Sequence, residues 1–136
     1  MTFKIDIRVR FSETDLTGAV YHANYLLYFE EARNNAFRKI GILYDELEKV
    51  DRMIAITSAS QTYKSPAFYD DLLTVYTWLR KINAYIAIFE YQILRTKTEI
   101  ATGRTELIFL EKSRDFIPRR IPRELIDKAK EFVETP

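Results

Sequence analysis

The sequence has no cysteine, a single histidine and only three glycines among its 136 residues. Without cysteine the chain can form no disulfide, no thiolate metal site and no cysteine nucleophile. A metal site built from several histidines is excluded as well, because His22 is the only histidine. We therefore expect a protein with no metal centre and no cofactor.

The charge balance and the absence of long apolar runs argue against two classes of partner. Lys and Arg number 21 and Asp and Glu number 20, whereas nucleic-acid-binding proteins usually carry a basic excess. No apolar run approaches the roughly 20 residues that span a bilayer. The opening MTFKIDIRVRF is charged and alternating, unlike a signal peptide. We predict no nucleic-acid partner, no membrane partner and a cytoplasmic location.

Hydrophobic spacing predicts a strand and then a long helix in the first third of the chain. Residues 2–10 alternate apolar and polar side chains, as a half-buried strand does. Residues 25–40 have apolar side chains at steps of three and four, which is typical of a helix. Asn24 is a candidate N-cap and Gly41 a candidate C-terminal cap. The apolar face of this helix is expected to comprise Leu26, Phe29, Ala36, Phe37 and Ile40, with Arg33 as its one polar member.

The remaining residues predict four more strands and two more helices. The predicted strands, rich in β-branched and aromatic residues, are 53–63, 72–82, 85–95 and 99–111. A short helix is predicted over 43–50, and Pro122 precedes a terminal helix over 123–133. Short connections favour an antiparallel meander over parallel units. Residues 1–136 are therefore expected to form one α+β domain, an antiparallel sheet of about five strands wrapped around one long central helix.

The apolar run at 85–89 bears on assembly. Its side chains are apolar on both faces of the predicted strand, so both faces should be covered. A partner subunit is the natural cover for the outer face, because apolar patches of this kind usually mark interfaces.

The segment SETDLTGAVYHANYLLYFEEAR, residues 12–33, places Asp15, Gly18 and His22 just before the long helix. Taken singly, each has a structural explanation: an aspartate that caps its own turn and a histidine that is packed and hydrogen-bonded. Taken together, they offer an acid beside the unpaired N–H groups and positive dipole end of a helix. Such N–H groups can stabilise a developing oxyanion while the acid attacks a carbonyl or activates water. This arrangement suits hydrolysis of an ester or thioester.

A second charged group follows on the helix. Glu30, Glu31 and Arg33 are typical of a solvated helix face with local ion pairs. Glu30 is the other acid near the motif, and we interpret it as secondary to Asp15.

The segment ETDLTGAVYHANYLLYFEEAR resembles the 4-hydroxybenzoyl-CoA thioesterase family of hotdog-fold proteins. It is most similar to a branch of bacterial acyl-CoA thioesterases with the motif D-x-x-G-x-V-[YF]-[HY]-x-[NS]-Y. The matching residues are Asp15, Gly18, Val20, Tyr21, His22, Asn24 and Tyr25. The segments YKSPAFYDDLLTV (63–75), ATGRTELIFLEK (101–112) and RRIPRELIDKA (119–129) also resemble this family, so the resemblance covers nearly the whole chain.

The resemblance implies a hotdog fold and an acyl-CoA thioesterase that releases a free acid and CoA. Asp15 is then the catalytic carboxylate, acting either as nucleophile or as general base, and the backbone N–H of His22 polarises the carbonyl. The family forms homodimers or homotetramers with the active site at a subunit interface. Thr17 departs from relatives that often have Gly or Ala there, and is expected to alter the shape of the acyl pocket.

Substrate-binding residues follow from the motif and from the charges that CoA phosphates require. The motif contributes Gly18, Val20, Tyr21 and Asn24. The turn residues Lys64, Ser65 and Pro66 and the pair Arg119 and Arg120 are candidates for the CoA end, with Arg80 and Lys81 as a further pair.

Other functions remain open on the sequence. The chain could be a non-catalytic module that binds or senses acyl-CoA, or a dehydratase acting on hydroxyacyl thioesters, and the thioester could be carried by acyl-carrier protein. Asp15 favours catalysis, since a binding module needs no acid at the carbonyl.

Overall fold

Five long strands form one antiparallel sheet in the computed structural model, which describes residues 1–42 and 44–134. They are β1 (Thr2–Arg8), β2 (Arg52–Tyr63), β3 (Leu72–Ile82), β4 (Ile86–Arg95) and β5 (Thr98–Glu111), with a two-residue β6 (Ile117–Pro118) beside β5. The order across the sheet is β1-β3-β4-β5-β2. This confirms the predicted α+β architecture and all five predicted strands, whose ends differ from the prediction by two residues at most.

The order of β2 differs from the predicted meander. β3, β4 and β5 follow one another as hairpins, but β2 pairs with β5 along its whole length, from Arg52 opposite Glu111 to Tyr63 opposite Ala101. The other side of β3 is occupied by β1, from Thr2 opposite Trp78 onward. β2 therefore takes the free side of β5, and β1 and β2 become the two edges.

The long helix α1 (Asn24–Ile40) lies on one face of this sheet. Gly41 ends it in the left-handed region, with φ of 91° and its N–H donated to Phe37 O at 2.9 Å, as predicted. The prediction of Asn24 as N-cap is wrong. The helix already includes Asn24, and its side-chain Nδ2 donates to the carbonyl of Glu13 at 2.8 Å instead of accepting an N–H of the first turn.

The face that α1 buries is rotated slightly from the predicted one. The buried residues are Tyr25, Tyr28, Phe29, Ala32, Arg33, Ala36, Phe37 and Ile40. Leu26 is 36% exposed, because it lies at the edge of this stripe. Phe29 stacks on Tyr91 with ring centroids 4.4 Å apart. Its ring also lies over Gly103, where a Cβ atom would come within 2.6 Å of Phe29 Cζ, so only glycine permits this close approach.

Two shorter helices complete the fold. The predicted helix at 43–50 is observed as α2 (Tyr44–Lys49), and its predicted first residue, Leu43, lies outside the described residues. α3 (Arg123–Lys130) ends before the predicted residue 133. The chain leaves the helix there to pair with β3, with Glu134 N donating to Leu79 O at 2.8 Å. No helix in residues 1–42 and 44–134 is long and apolar enough to cross a membrane.

The sheet face turned away from α1 carries a polar cluster around Glu90. Trp78 Nε1 and Arg80 Nε both donate to the Glu90 carboxylate, at 3.0 and 2.6 Å. Within the run 85–89, Ala87, Ile88 and Phe89 are already buried inside the chain, and only Tyr85 is largely exposed, at 57%. Most exposed apolar side chains lie in two other regions. The first comprises the loop before α1 and the first turn of the helix, with Phe11, Leu16, Tyr21, Leu26 and Leu27. The second comprises β2 and the segment after it, with Met53, Ile56, Tyr63, Phe68 and Tyr69.

Candidate active site

A tight turn carries Asp15. Thr14 and Val20 form a β-bridge, and inside it Asp15 N donates to Ala19 O at 2.8 Å while Gly18 N donates to Asp15 O at 3.0 Å. Gly18 has φ of 86°, which favours glycine at this corner. Val20 N then donates to Ala67 O at 2.8 Å. These bonds fix what we call the Asp15 loop, residues 10–23, against the segment after β2.

The Asp15 carboxylate is exposed to solvent, but two hydrogen bonds from Thr17 fix its orientation. Its Oδ1 accepts from the Thr17 hydroxyl at 2.6 Å and from the Thr17 N–H at 2.8 Å. The hydroxyl above all, followed by the N–H, holds the pKa of Asp15 below its usual value, because both bonds favour the charged form. Within the described part of the chain Oδ2 has no hydrogen-bond donor. The predicted turn aspartate is therefore confirmed, and the same turn presents one carboxylate oxygen outward.

The start of α1 leaves two N–H groups without acceptors. The amides of Asn24, Tyr25 and Leu26 donate three residues back, to Tyr21, His22 and Ala23, at 2.9, 3.3 and 3.3 Å. The amides of His22 and Ala23 have no acceptor among residues 1–42 and 44–134. They lie at the positive end of the helix dipole, where a negatively charged oxygen is stabilised. The N–H assigned to His22 from the motif is thus among the available donors.

Aromatic rings surround this helix start. The exposed His22 ring lies 4.5 Å from the Tyr21 ring and 6.2 Å from the Tyr63 ring, measured between centroids. Tyr63 also lies 5.7 Å from Tyr25. Because Tyr63 is the last residue of β2, the end of this edge strand meets the beginning of α1 at the candidate site.

Glu13 was missed by the sequence reasoning and joins the loop to the helix. Its buried carboxylate accepts from Arg10 N at 2.8 Å and from the Tyr28 hydroxyl at 2.9 Å. Its carbonyl accepts from Tyr21 N at 2.9 Å and from Asn24 Nδ2 at 2.8 Å. Burial, with the bond to Glu13, raises the pKa of the Tyr28 phenol, which stays a neutral donor. The available signal was the three-residue spacing from Arg10 to Glu13, which matches a capping-box contact.

The structure brings some of the predicted substrate-binding residues to this place. Lys64, Ser65 and Pro66 directly follow Tyr63, and Lys64 N donates to Ile100 O at 2.8 Å. The motif residues Gly18, Val20, Tyr21 and Asn24 all belong to the Asp15 loop or the first turn of α1.

Arg119 and Arg120 lie at the opposite end of β2. The Arg120 carbonyl accepts from Arg52, the first residue of that strand, which is about 36 Å from Tyr63 at a rise of about 3.3 Å per residue. Within one chain they do not share a site with Asp15. Arg119 is bound to the Glu111 carboxylate at 2.5 Å, and Arg80 is similarly engaged by Glu90.

The charged group on α1 is divided between two faces of the helix, so only part of it forms the predicted solvated face. Glu30 and Glu31 are exposed, but Arg33 is 7% exposed and faces the sheet, because it belongs to the buried stripe of α1. Its Nη1 donates to the Tyr91 hydroxyl at 3.1 Å, and no carboxylate lies within 4.0 Å in the described ranges. Glu30 borders a cavity further along α1, away from the Asp15 loop.

Chemically, the site combines an ionised, oriented carboxylate with unused N–H donors at a helix start. The donors can accept the charge that develops on a carbonyl oxygen under attack. The carboxylate can attack that carbonyl or position water. These are the parts that hydrolysis of an acyl compound requires.

Comparison with known proteins agrees with this chemistry. Residues 9–132 match the model of a family described as the thioesterase-like superfamily. The chain is 33% identical over 102 residues to the putative acyl-CoA thioesterase YneP of Bacillus subtilis, covering 75% of this chain and 74% of that protein.

Solved structures extend the similarity to the fold. A hypothetical protein from Thermus thermophilus superposes with a TM-score of 0.90 at 25% identity, over 98% of this chain and 99% of that one. A DHNA-CoA thioesterase from Staphylococcus aureus gives 0.86 at 31% identity, over 96% and 91%. These similarities confirm the hotdog fold predicted from the sequence, and the chain belongs to the thioesterase-like superfamily of thioester hydrolases.

Proposed function

We propose that this protein hydrolyses acyl-CoA thioesters to a free acid and CoA, with Asp15 as the catalytic carboxylate. The observation that carries the proposal is the Asp15 carboxylate, held by Thr17, on the loop that leads into the unused N–H groups of His22 and Ala23. The match to the motif of bacterial acyl-CoA thioesterases supports the same roles for these residues. The names of the relatives in Bacillus subtilis and Staphylococcus aureus point to CoA thioesters as substrates.

In the proposed reaction the thioester carbonyl accepts a hydrogen bond from the His22 N–H. Asp15 is proposed as the nucleophile of this reaction, with general-base activation of a water as the alternative. Its free oxygen would bond to the carbonyl carbon, the C–S bond would break, and CoA would leave as a thiolate. Water would then hydrolyse the mixed anhydride, releasing the acid and restoring Asp15.

The CoA end of the substrate is proposed to lie along the turn at Lys64, Ser65 and Pro66. Lys64 is exposed directly after Tyr63, so a phosphate could approach it without displacing a buried group. Acyl-carrier protein remains the alternative carrier, and a cytoplasmic location stays a prediction.

We also propose that the protein works as a homodimer, or as a homotetramer of two such dimers, joined at β2. This strand has twelve residues, forms one edge of the sheet and is largely exposed. A long exposed edge presents unpaired N–H and C=O groups that can pair with a strand of another chain. Antiparallel pairing of two β2 strands about a twofold axis would place the Arg52 end of one chain beside the Tyr63 end of the other. Arg119 and Arg120 of a second chain could then approach the CoA phosphates.

Replacement of Asp15 tests the catalytic proposal. Asp15→Asn should keep the fold and lower kcat on the order of 10²-fold or more, because the attacking or activating carboxylate is lost. His22→Ala should cost less, because its backbone N–H is retained. Thiol release from a panel of acyl-CoAs measures both, with Asp127→Asn on exposed α3 as the control. Full activity in folded Asp15→Asn would contradict the proposal, and saturable acyl-CoA binding without turnover in the wild type would identify a binding module.

The bond from Thr17 predicts a specific pH dependence. Asp15 acts as a carboxylate, so activity is present above its pKa and is lost as the pH falls through that pKa. Thr17→Val removes the hydroxyl donor and keeps the N–H, so the pKa of Asp15 should rise toward its usual value. The acid limb of kcat/KM should move to higher pH. The control is Thr74→Val, which removes a similar hydrogen bond to Asp6 and should leave the acid limb of kcat/KM where it is in the wild type. An acid limb that does not move in Thr17→Val would contradict the proposed role of Asp15.

The molecular mass of the protein in solution tests assembly at β2 directly. Light scattering at micromolar concentration should give a multiple of the 16.1 kDa chain. Ile56→Glu, at a 45% exposed position of β2, should weaken assembly because a charge would be buried in the interface. Tyr85→Glu, at an exposed apolar position away from β2, should not. A monomeric wild-type protein would overturn the interface and the contribution of a partner to the site.

A further inference from the structure

A cavity of about 360 Å³ lies between α1, α2 and the beginning of β2. Its size falls within the range of small-molecule sites in proteins. Apolar side chains form much of its wall, including Phe37, Leu47 and Ile54, and Arg33 and Asn34 border it from α1. The Asp15 loop contributes no residue to it.

Arg33 is the unusual member of this wall. The side chain is a buried cation, and the one side-chain group it binds in the described part of the protein is the Tyr91 hydroxyl, at 3.1 Å. That hydroxyl is also 2.6 Å from Thr105 Oγ1, and burial raises the pKa of the Tyr91 phenol, so Arg33 faces a neutral group. A buried guanidinium without a carboxylate is unfavourable. Residues 1–42 and 44–134 provide a hydrogen-bond acceptor for only one of its nitrogens.

The other charged side chains around the cavity have hydrogen-bond or ion-pair partners or face solvent. Glu48 pairs with Lys112 at 3.9 Å, and the Asp51 carboxylate accepts from Ser113 N at 3.1 Å. Arg52 donates to the carbonyl of Val50 at 2.9 Å. Glu30 is exposed and solvated. Among the described residues that line the cavity, Arg33 is therefore the buried charged side chain that has no oppositely charged group within 4.0 Å.

The cavity and the candidate active site lie between the same two elements. At one end, Tyr63 of β2 is beside His22 and Tyr25 at the start of α1. At the other end, the first residues of β2 and the middle of α1 border the cavity. The backbone of α1 lies nearest to β1 and β3, and the β2 residues that border the cavity lie beside its middle. Arg33 is eleven residues beyond His22, about 16 Å along a helix that rises 1.5 Å per residue.

We propose that this cavity receives the far end of the acyl group and that Arg33 binds a carboxylate there, so that the preferred substrates are ω-carboxyacyl thioesters. This inference rests on the proposed thioesterase function and goes beyond it by naming the substrate class. A guanidinium binds a carboxylate through two parallel hydrogen bonds. With C–C bonds of about 1.5 Å, an extended chain advances about 1.25 Å per carbon, so the span corresponds to roughly ten to fourteen carbons.

The test compares matched substrates on the wild-type protein. Dodecanedioyl-CoA should have a kcat/KM at least tenfold above that of dodecanoyl-CoA, because only the first supplies Arg33 with an opposite charge. Hexanedioyl-CoA should lose the advantage, because its carboxylate is too short to reach. Arg33→Met should remove the preference for dodecanedioyl-CoA, and Arg33→Lys should retain part of it. Lys39→Met, an exposed cation on the same helix, should leave the ratio unchanged.

The outcomes separate this inference from the proposed function. A wild-type protein that hydrolyses dodecanoyl-CoA as well as or better than dodecanedioyl-CoA overturns the role of Arg33 and leaves the thioesterase proposal standing. If no thioester is hydrolysed, the thioesterase proposal fails. Calorimetry with the free acids then decides whether the cavity binds a carboxylate. Dodecanedioate binding that exceeds dodecanoate binding tenfold supports the carboxylate site, and equal binding overturns it. The wild-type comparisons do not depend on whether an Arg33 variant folds.

Discussion

The geometry of the candidate active site depends on Glu13, which holds the Asp15 loop to the start of α1. Its carbonyl accepts from Tyr21 N and from Asn24 Nδ2, and its buried carboxylate accepts from Arg10 N and from the Tyr28 hydroxyl. Donors from the loop and from the helix therefore converge on one residue, two positions before Asp15. Because the loop and helix are fixed to the same anchor, the carboxylate and the unused N–H groups keep their relative position.

The packing of α1 determines which side of the helix is available to a ligand. Phe29 sits over Gly103 and stacks on Tyr91, which brings the helix close to the sheet. The backbone of α1 lies nearest to β1 and β3, and a cavity bordered by Arg33 lies between α1 and the beginning of β2. The same packing that buries the core thus leaves the space in which an acyl chain is proposed to lie.

Local features of the sequence predicted most of the elements. Strand and helix periods depend on near neighbours, so the five strands, α1 and its Gly41 terminus were predictable. The motif likewise indicated Asp15 and the His22 N–H as site candidates. The position of β2 beside β5 was not predictable, because it depends on which sheet edge β1 occupies. The helical spacing already placed Arg33 on the apolar face of α1. The bond from Arg33 to Tyr91 and the role of Glu13 were not predictable, because they depend on contacts that only the folded chain makes.

The central claim is that the thioester carbonyl is polarised by N–H groups at the start of α1, and amide NMR tests it most directly. In ¹⁵N-labelled Asp15→Asn protein, an acyl-CoA should bind without rapid hydrolysis. At saturation the His22 amide proton should move downfield, because it gains the carbonyl as acceptor, and the Ala23 amide proton should follow to a lesser extent. The amides of Tyr25 and Leu26 already have acceptors and should move much less. Saturated binding that leaves His22 and Ala23 unshifted would contradict the account.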